Sequence, residues 1–166
     1  MQQMNSMQDL MQNMLIGLYT AEQQALEALP QMAEHVETPE LKNLLQQHEK
    51  HTENQCRRLE QIFDKMGMEA PEDTYNPAVA ALMEESQDMI DAGGNQKVLE
   101  AALILGAQKM EHLEIAGYGT AVEFAKMLGE KDLAKLLAEN LNEEEKTDKM
   151  LTDIARAAIN PKAKEA

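Results

Sequence analysis

The sequence predicts an all-α protein built as a four-helix bundle. Apolar residues recur in steps of three and four along four long segments of similar length, as expected for amphipathic helices. No segment shows the alternation of a convincing β-strand. The chain has 166 residues, a length that fits one domain. We therefore expect a single domain over residues 1–166, with its core at about 8–160.

The first two long helices are predicted to form a hairpin. The first is expected over roughly 8–34. The second begins in the segment TPELKNLL, where Thr38 is the expected N-cap and Pro39 the first helical residue. It should end near Lys65, before Gly67. Because the connection between them is short, the two helices should pack antiparallel.

A long crossover separates this pair from the next. The segment MEAPEDTYNP, residues 68–77, has the composition of a turn-rich linker. A shorter helix over 78–92 should follow and stop at Gly93–Gly94. Two hairpins joined by one long crossover form the connectivity of ferritin-like bundles.

The third and fourth long helices are predicted to form the second hairpin. They are expected over roughly 96–128 and 131–159, with Gly129 between them. Asn160–Pro161 should stop the last helix, because a proline disfavours helical backbone in the residue before it. The tail 162–166 should then be frayed.

Composition narrows the range of partners. The formal net charge is −15, from 15 basic and 30 acidic residues, which argues against nucleic acid or an anionic membrane as a partner. Cys56 is the single cysteine, so no intrachain disulfide can form and a reducing compartment is favoured. No Lys or Arg precedes Lys42, and uncharged apolar runs are too short to span a bilayer. We expect a cytoplasmic protein.

The core must be filled mainly by aliphatic side chains and methionine. Aromatic residues make up 3% of the chain, Trp is absent, and 13 residues are Met. Methionine fills irregular gaps between helices. A role as a sink for oxidants is an alternative explanation of the high count.

Each long helix carries ionisable residues near the middle of its apolar stripe. These residues are Glu22 in the first helix, His48 and His51 in the second, Glu111 and Glu114 in the third, and Glu144 in the fourth. The midpoints of packed antiparallel helices lie at one level. We therefore expect the six side chains to converge in one buried layer.

Bound cations would make such a layer tolerable. A buried carboxylate without a partner costs several kcal/mol or becomes protonated, and several at one level repel each other. Oxygen and imidazole ligands suit iron or manganese, with zinc as an alternative. Di-iron bundles use about four carboxylates and two imidazoles, which is close to the set offered here. We expect two divalent metal ions, with iron as the first choice.

Other interpretations of these residues remain open from the sequence. Glu111 and Glu114 could lie on a solvated helix face, and His48 and His51 could be surface residues beside acidic neighbours. Glu22 alone could be a residue at the edge of the core.

Neighbouring residues also have more than one interpretation. Glu143 and Asp148 are further candidate ligands next to Glu144. His112 points about 100° away from its neighbour along the helix, so we expect it behind the ligands or on the surface. Tyr118 could hydrogen-bond a ligand or serve only as a core side chain.

Four segments resemble the YciE/YciF family of ferritin-like proteins. They are AALILGAQKMEHLEIAGYGT, LYTAEQQALEALP, QHEKHTENQCRRLE and LNEEEKTDKMLTDIA. The pattern EHxEIAxYGT is the most specific, and the resemblance covers about residues 8–160. It implies a ferritin-like bundle with a dinuclear metal site, often dimeric, in bacterial proteins linked to stress responses.

The resemblance also implies a set of ligands. The matching positions are Glu22, His48, Glu111, Glu114 and Glu144. The chain departs from the family pattern H-x-x-E-T in the segment HEKHT, where His51 stands in place of Glu. This substitution lowers the ligand charge and raises the number of imidazoles.

Two classes of function are expected. The first is a di-metal oxidoreductase, either a ferroxidase or a peroxide-consuming centre of the manganese-catalase type. The second is a non-catalytic stress or interaction protein with a structural or vestigial metal site. Iron storage in a cage is a weaker third option. The expected partners are metal ions and a second copy of the chain in a homodimer.

Overall fold

Helices account for nearly all of the chain. The computed structural model describes residues 4–72 and 75–166, and none of these residues forms a β-strand. The helices are α1 (Met7–Glu34), α2 (Pro39–Met66), α3 (Pro77–Ala92), α4 (Gln96–Met127), α5 (Lys131–Ile154) and α6 (Asn160–Ala163). Residues 1–3 of the N-terminal segment and 73–74 of the predicted linker lie outside the described part.

The four long helices pack as two hairpins, which confirms the predicted bundle. α1 pairs with α2, and α4 pairs with α5. The hairpins meet through α2 against α5 and α1 against α4, while the crossover helix α3 packs on α4 and α1. Among the described helices, none is long and apolar enough to cross a membrane.

Short sequence signals fix the helix ends. Ser6 and Asp9 form a capping box at α1, in which each side chain accepts a hydrogen bond from the other's backbone N–H. Gly67 ends α2 with φ 66°, and Gly129 follows α4 with φ 82°. Both lie in the left-handed region that glycine adopts without a steric cost.

The predicted end of the last helix is wrong. The chain does not leave the helix at Asn160–Pro161 but passes through a π-helical turn, Ala155–Ile159, into α6. In this turn the N–H of Asn160 bonds to the carbonyl of Ala155. Pro161 then lies in the first turn of α6, where its missing N–H costs little. The wider turn accommodates the proline that would break a regular helix.

Two apolar clusters lie on either side of a polar layer. The upper cluster includes Met11, Leu15, Leu59, Ile62, Phe63, Ala121 and Leu137. The lower cluster includes Leu29, Val36, Leu41, Leu44, Leu103, Leu151 and Ile159. The middles of the four long helices therefore lie between two dry regions.

One buried carboxylate in the lower half of the bundle has hydrogen-bond partners for both of its oxygens. Glu100 is fully buried. One oxygen accepts hydrogen bonds from the backbone N–H of Glu37 at 2.7 Å and of Thr38 at 2.9 Å. The other accepts from the Thr38 hydroxyl and from Lys97 Nζ at 2.7 Å. Thr38 occupies the predicted N-cap position of α2, but Glu100 receives its hydroxyl hydrogen bond.

Glu100→Gln should destabilise the protein by about 1.5–3 kcal/mol, the usual value for hydrogen bonds to a charged group. Burial acts to raise the pKa of Glu100, but the bonds from Lys97 and Thr38 outweigh it and lower the pKa to about 2. The stabilisation should therefore be complete above the ordinary pKa of 4.5 and be lost as the pH falls toward 2. Urea unfolding of both proteins at neutral and acidic pH measures this difference. An equal loss at all pH values would contradict it.

Candidate metal centre

Four buried side chains from three helices converge in the polar layer. His48 comes from α2, Glu111 and Glu114 from α4, and Glu144 from α5, and each offers one ligand atom within 4.8 Å of the others. His48 Nε2 lies 3.0 Å from Glu111 Oε1 and 3.9 Å from Glu144 Oε2. All four are at most 4% exposed. This group could hold a metal ion.

Glu22 borders this group from α1. It is fully buried, and the Tyr118 hydroxyl donates a hydrogen bond to its Oε1 atom. It lies outside the four-residue group, but its charge and that of Glu144 act on each other. Tyr118 thus contacts a candidate ligand and is also part of the core.

His51 lies one turn along α2 from His48 and is half-buried. Its Nδ1 atom is buried and has no hydrogen-bond partner. His51 also lies outside the four-residue group, so its role as a ligand stays a prediction.

The remaining acidic candidates point to other partners. Glu143 forms two hydrogen bonds of 2.8 Å with Arg58. Asp148 accepts a hydrogen bond from Gln108 at 2.9 Å and lies 3.5 Å from His112 Nε2. His112 is 68% exposed, which places it on the surface.

Several buried polar atoms of the layer have no hydrogen-bond partner. Among the described residues, the buried side-chain atoms without a hydrogen-bond partner are Glu22 Oε2, His48 Nδ1, His51 Nδ1, Thr52 Oγ1, Gln55 Oε1, Glu111 Oε2, both Glu114 oxygens and Glu144 Oε2. The large majority of buried side-chain polar atoms in proteins have a hydrogen-bond partner. Bound cations would be the partners that these carboxylate oxygens lack. The residues present therefore fit a metal centre.

The carboxyl groups of the layer hold their protons unusually well. Burial, followed by the charges of Glu22 and Glu144, raises the pKa of Glu114 well above its ordinary value. Burial likewise raises the pKa values of Glu22 and Glu144 well above theirs. The pKa of Glu111 rises to about 7, mainly because the group is buried. In each case the largest cause of the shift is burial, which takes the charged form of the carboxyl group out of water.

A second set of polar residues, which sequence reasoning did not select as part of the site, orients the acids. Gln55 Nε2 donates a hydrogen bond to Glu144 Oε1. Asn140 Nδ2 donates to the Tyr118 hydroxyl at 3.0 Å, and Arg58 donates to Asn140 Oδ1 at 2.8 Å. Gln55 follows His48 by seven residues and Asn140 precedes Glu144 by four, so helical spacing could have identified both.

The family model that matches the chain is described as a domain of unknown function, DUF892, and it covers residues 6–164. The chain belongs to the DUF892 family. It is 36% identical over 160 residues to Protein YciF of Escherichia coli strain K12, which covers 96% of each protein. The resemblance to the YciE/YciF family is therefore confirmed.

Solved structures share the fold. The crystal structure of the E. coli stress protein YciF matches with a TM-score of 0.89 at 35% identity, over 95% of this chain and 99% of that chain. YcfI from Rhodopseudomonas palustris matches at 0.86 and 36% identity, over 91% and 96%. A protein from Xanthomonas campestris matches at 0.74 and 20% identity, over 96% and 98%, and indicates the fold alone.

Protein without bound metal should become less stable as the pH rises through the range in which the buried carboxyl groups of the layer lose their protons. Folded Glu111, with its pKa of about 7, keeps a proton that an unfolded glutamate releases near 4.5. Stability therefore falls between these two pH values. Thermal unfolding of chelator-treated protein across this window measures the trend, and Glu111→Gln should reduce it.

Added Mn(II) should remove or reverse this loss of stability with rising pH, because metal binds the deprotonated carboxylates and its affinity grows with pH.

The pH dependence that Glu100 adds to stability lies below this pH window. If the stability of metal-free protein rises with pH across the window, the carboxyl groups are not crowded as described.

Proposed function

We propose that the protein is a di-metal carboxylate oxidoreductase, with Glu22, His48, Glu111, Glu114 and Glu144 as its ligands. The observation that carries the proposal is the set of buried, unpaired carboxylate oxygens in one layer. A protein that bound no cation would gain stability from apolar side chains at these positions.

The distribution of donors supports two ions. α1 and α5 each supply one glutamate, α4 supplies two, and α2 supplies His48 with His51 one turn away. Di-iron bundles draw a similar total from four helices. Iron is the first choice, with manganese or zinc as alternatives, because oxygen and imidazole donors suit these metals.

The layer offers what a redox centre requires of its protein. Bound Fe(II) or Mn(II) would supply electrons, one from each of two ions, so that one hydrogen peroxide and two protons become two waters, or one dioxygen and two protons become one hydrogen peroxide. The apolar clusters above and below exclude bulk water. Tyr118 donates a hydrogen bond to Oε1 of Glu22, and Oε2 has no partner. Gln55 donates to Oε1 of Glu144, whose Oε2 likewise has no hydrogen-bond partner.

The relatives suggest a biological setting for this proposed activity. The E. coli relative is described as a stress protein, and consumption of an oxidant together with Fe(II) would suit such a role. The homodimer implied by the family resemblance stays a prediction.

Fe(II) oxidation by dioxygen or by peroxide tests the proposal. Glu144→Gln should lose most of the turnover, because it removes a ligand charge while keeping the shape of the side chain. Glu145→Gln is the matched control, since Glu145 is the next residue of α5 and is exposed. Turnover is followed by absorbance of Fe(III), and bound metal is counted by elemental analysis.

Equal rates for the two variants would contradict an oxidoreductase at this site. Bound metal that stabilises the wild-type protein without any turnover would favour the non-catalytic alternative, in which the ion serves stability alone.

A further inference from the structure

A cavity leads from the surface to the candidate metal centre. It lies beneath the crossover helix α3, between α1 and α4, and has a volume of about 70 Å³. His48 and Glu111 line its inner end, whereas the exposed residues Gln31 and Gln87 lie at its outer end. A small molecule in this cavity would contact two candidate ligands.

The walls between these two ends are mainly apolar. They include Ala25, Leu29, Met83, Ile90, Ala107 and Met110. Ser86 also lines the cavity, but its hydroxyl donates to the carbonyl of Leu82 at 3.0 Å. The wall between the two ends thus offers few hydrogen bonds to a polar molecule.

The size of the cavity restricts its occupant. One water needs a cavity volume of roughly 10–15 Å³. A volume of about 70 Å³ therefore suits a molecule of a few heavy atoms. The flexible side chains of Met32, Met83 and Met110 can adjust to such an occupant.

The docking of α3 forms the cavity. Gly106 of α4 allows the close approach, because a Cβ atom there would lie 2.5 Å from Ser86 Oγ. Lys109 of α4 forms an ion pair with Glu85 of α3. Val79 is the one described residue of α3 that is fully buried, so α3 covers the site without filling the space beneath it.

We propose that this cavity binds dioxygen and delivers it to the metal centre. The proposal rests on the proposed oxidoreductase function and names its oxidant. Dioxygen is small and apolar, so it matches the mainly apolar walls. Hydrogen peroxide would have to give up hydrogen bonds with water that these walls do not replace. Because His48 and Glu111 line the inner end of the cavity, an oxidant bound there lies next to two candidate ligands.

Xenon tests the binding site without any turnover. Crystals of the protein pressurised with xenon should show one anomalous peak in the cavity, among Leu29, Met83 and Ala107. Absence of a peak there would overturn the proposal even if Fe(II) oxidation is observed.

A cavity-filling substitution tests delivery. Ala28 lines the cavity, so Ala28→Leu should raise the dioxygen concentration needed for half-maximal Fe(II) oxidation several-fold and weaken the xenon peak. Ala81→Leu is the matched control, because Ala81 is exposed on α3 and does not line the cavity. Elemental analysis should give the same metal content for both variants, and peroxide-driven oxidation should change less than the dioxygen-driven reaction.

The outcomes separate the two proposals. A wild-type protein without Fe(II) oxidation contradicts the proposed function, while the xenon peak still decides whether the cavity binds an apolar gas. A xenon peak with an unchanged dioxygen requirement in Ala28→Leu overturns delivery through the cavity. An equal loss with peroxide overturns the preference for dioxygen.

Discussion

Buried carboxyl groups lie close together near the middle of the four long helices, and the packing of the whole bundle has to accommodate them. Glu22, Glu111, Glu114 and Glu144 are each at most 1% exposed, and they come from three different helices. Every charge placed there raises the cost of the next one. The helices can close around this layer only if the charge is neutralised by protons or by cations.

Glu100 shows that burial alone does not identify a metal ligand. Both of its oxygens accept hydrogen bonds, and its pKa is lowered. Glu114 is equally buried, but neither oxygen has a partner, and its pKa is raised. Glu100 accepts hydrogen bonds from the N-terminal end of α2 and forms an ion pair with Lys97. Glu114 lacks the partner that a bound cation would supply.

Much of the fold follows from sequence pattern, because apolar periodicity and turn residues act locally. The common level of Glu22, Glu111 and Glu144 follows from their positions near the middles of their helices. The hydrogen bond from Gln55 to Glu144 and the link from Arg58 through Asn140 depend on how α2 and α5 face each other. The rotation of these helices about their axes is set by packing across the bundle, which no single segment encodes.

The misjudged helix end has a related cause. Asn160–Pro161 is a stop signal in most helices, but here a π-helical turn absorbs the proline while Ile159 is buried in the lower cluster. The cavity beneath α3 likewise depends on the docking of the crossover helix against Gly106. No local pattern encodes that contact.

Crystallographic location of bound metal would decide whether cations neutralise the buried layer. The protein, loaded with Fe(II) or Mn(II) under anaerobic conditions, is measured on both sides of the metal's absorption edge. We expect anomalous density within coordinating distance of Glu111, Glu114, Glu144 and His48. A layer without density, whose side chains pair with each other as neutral acids, would contradict a metal centre.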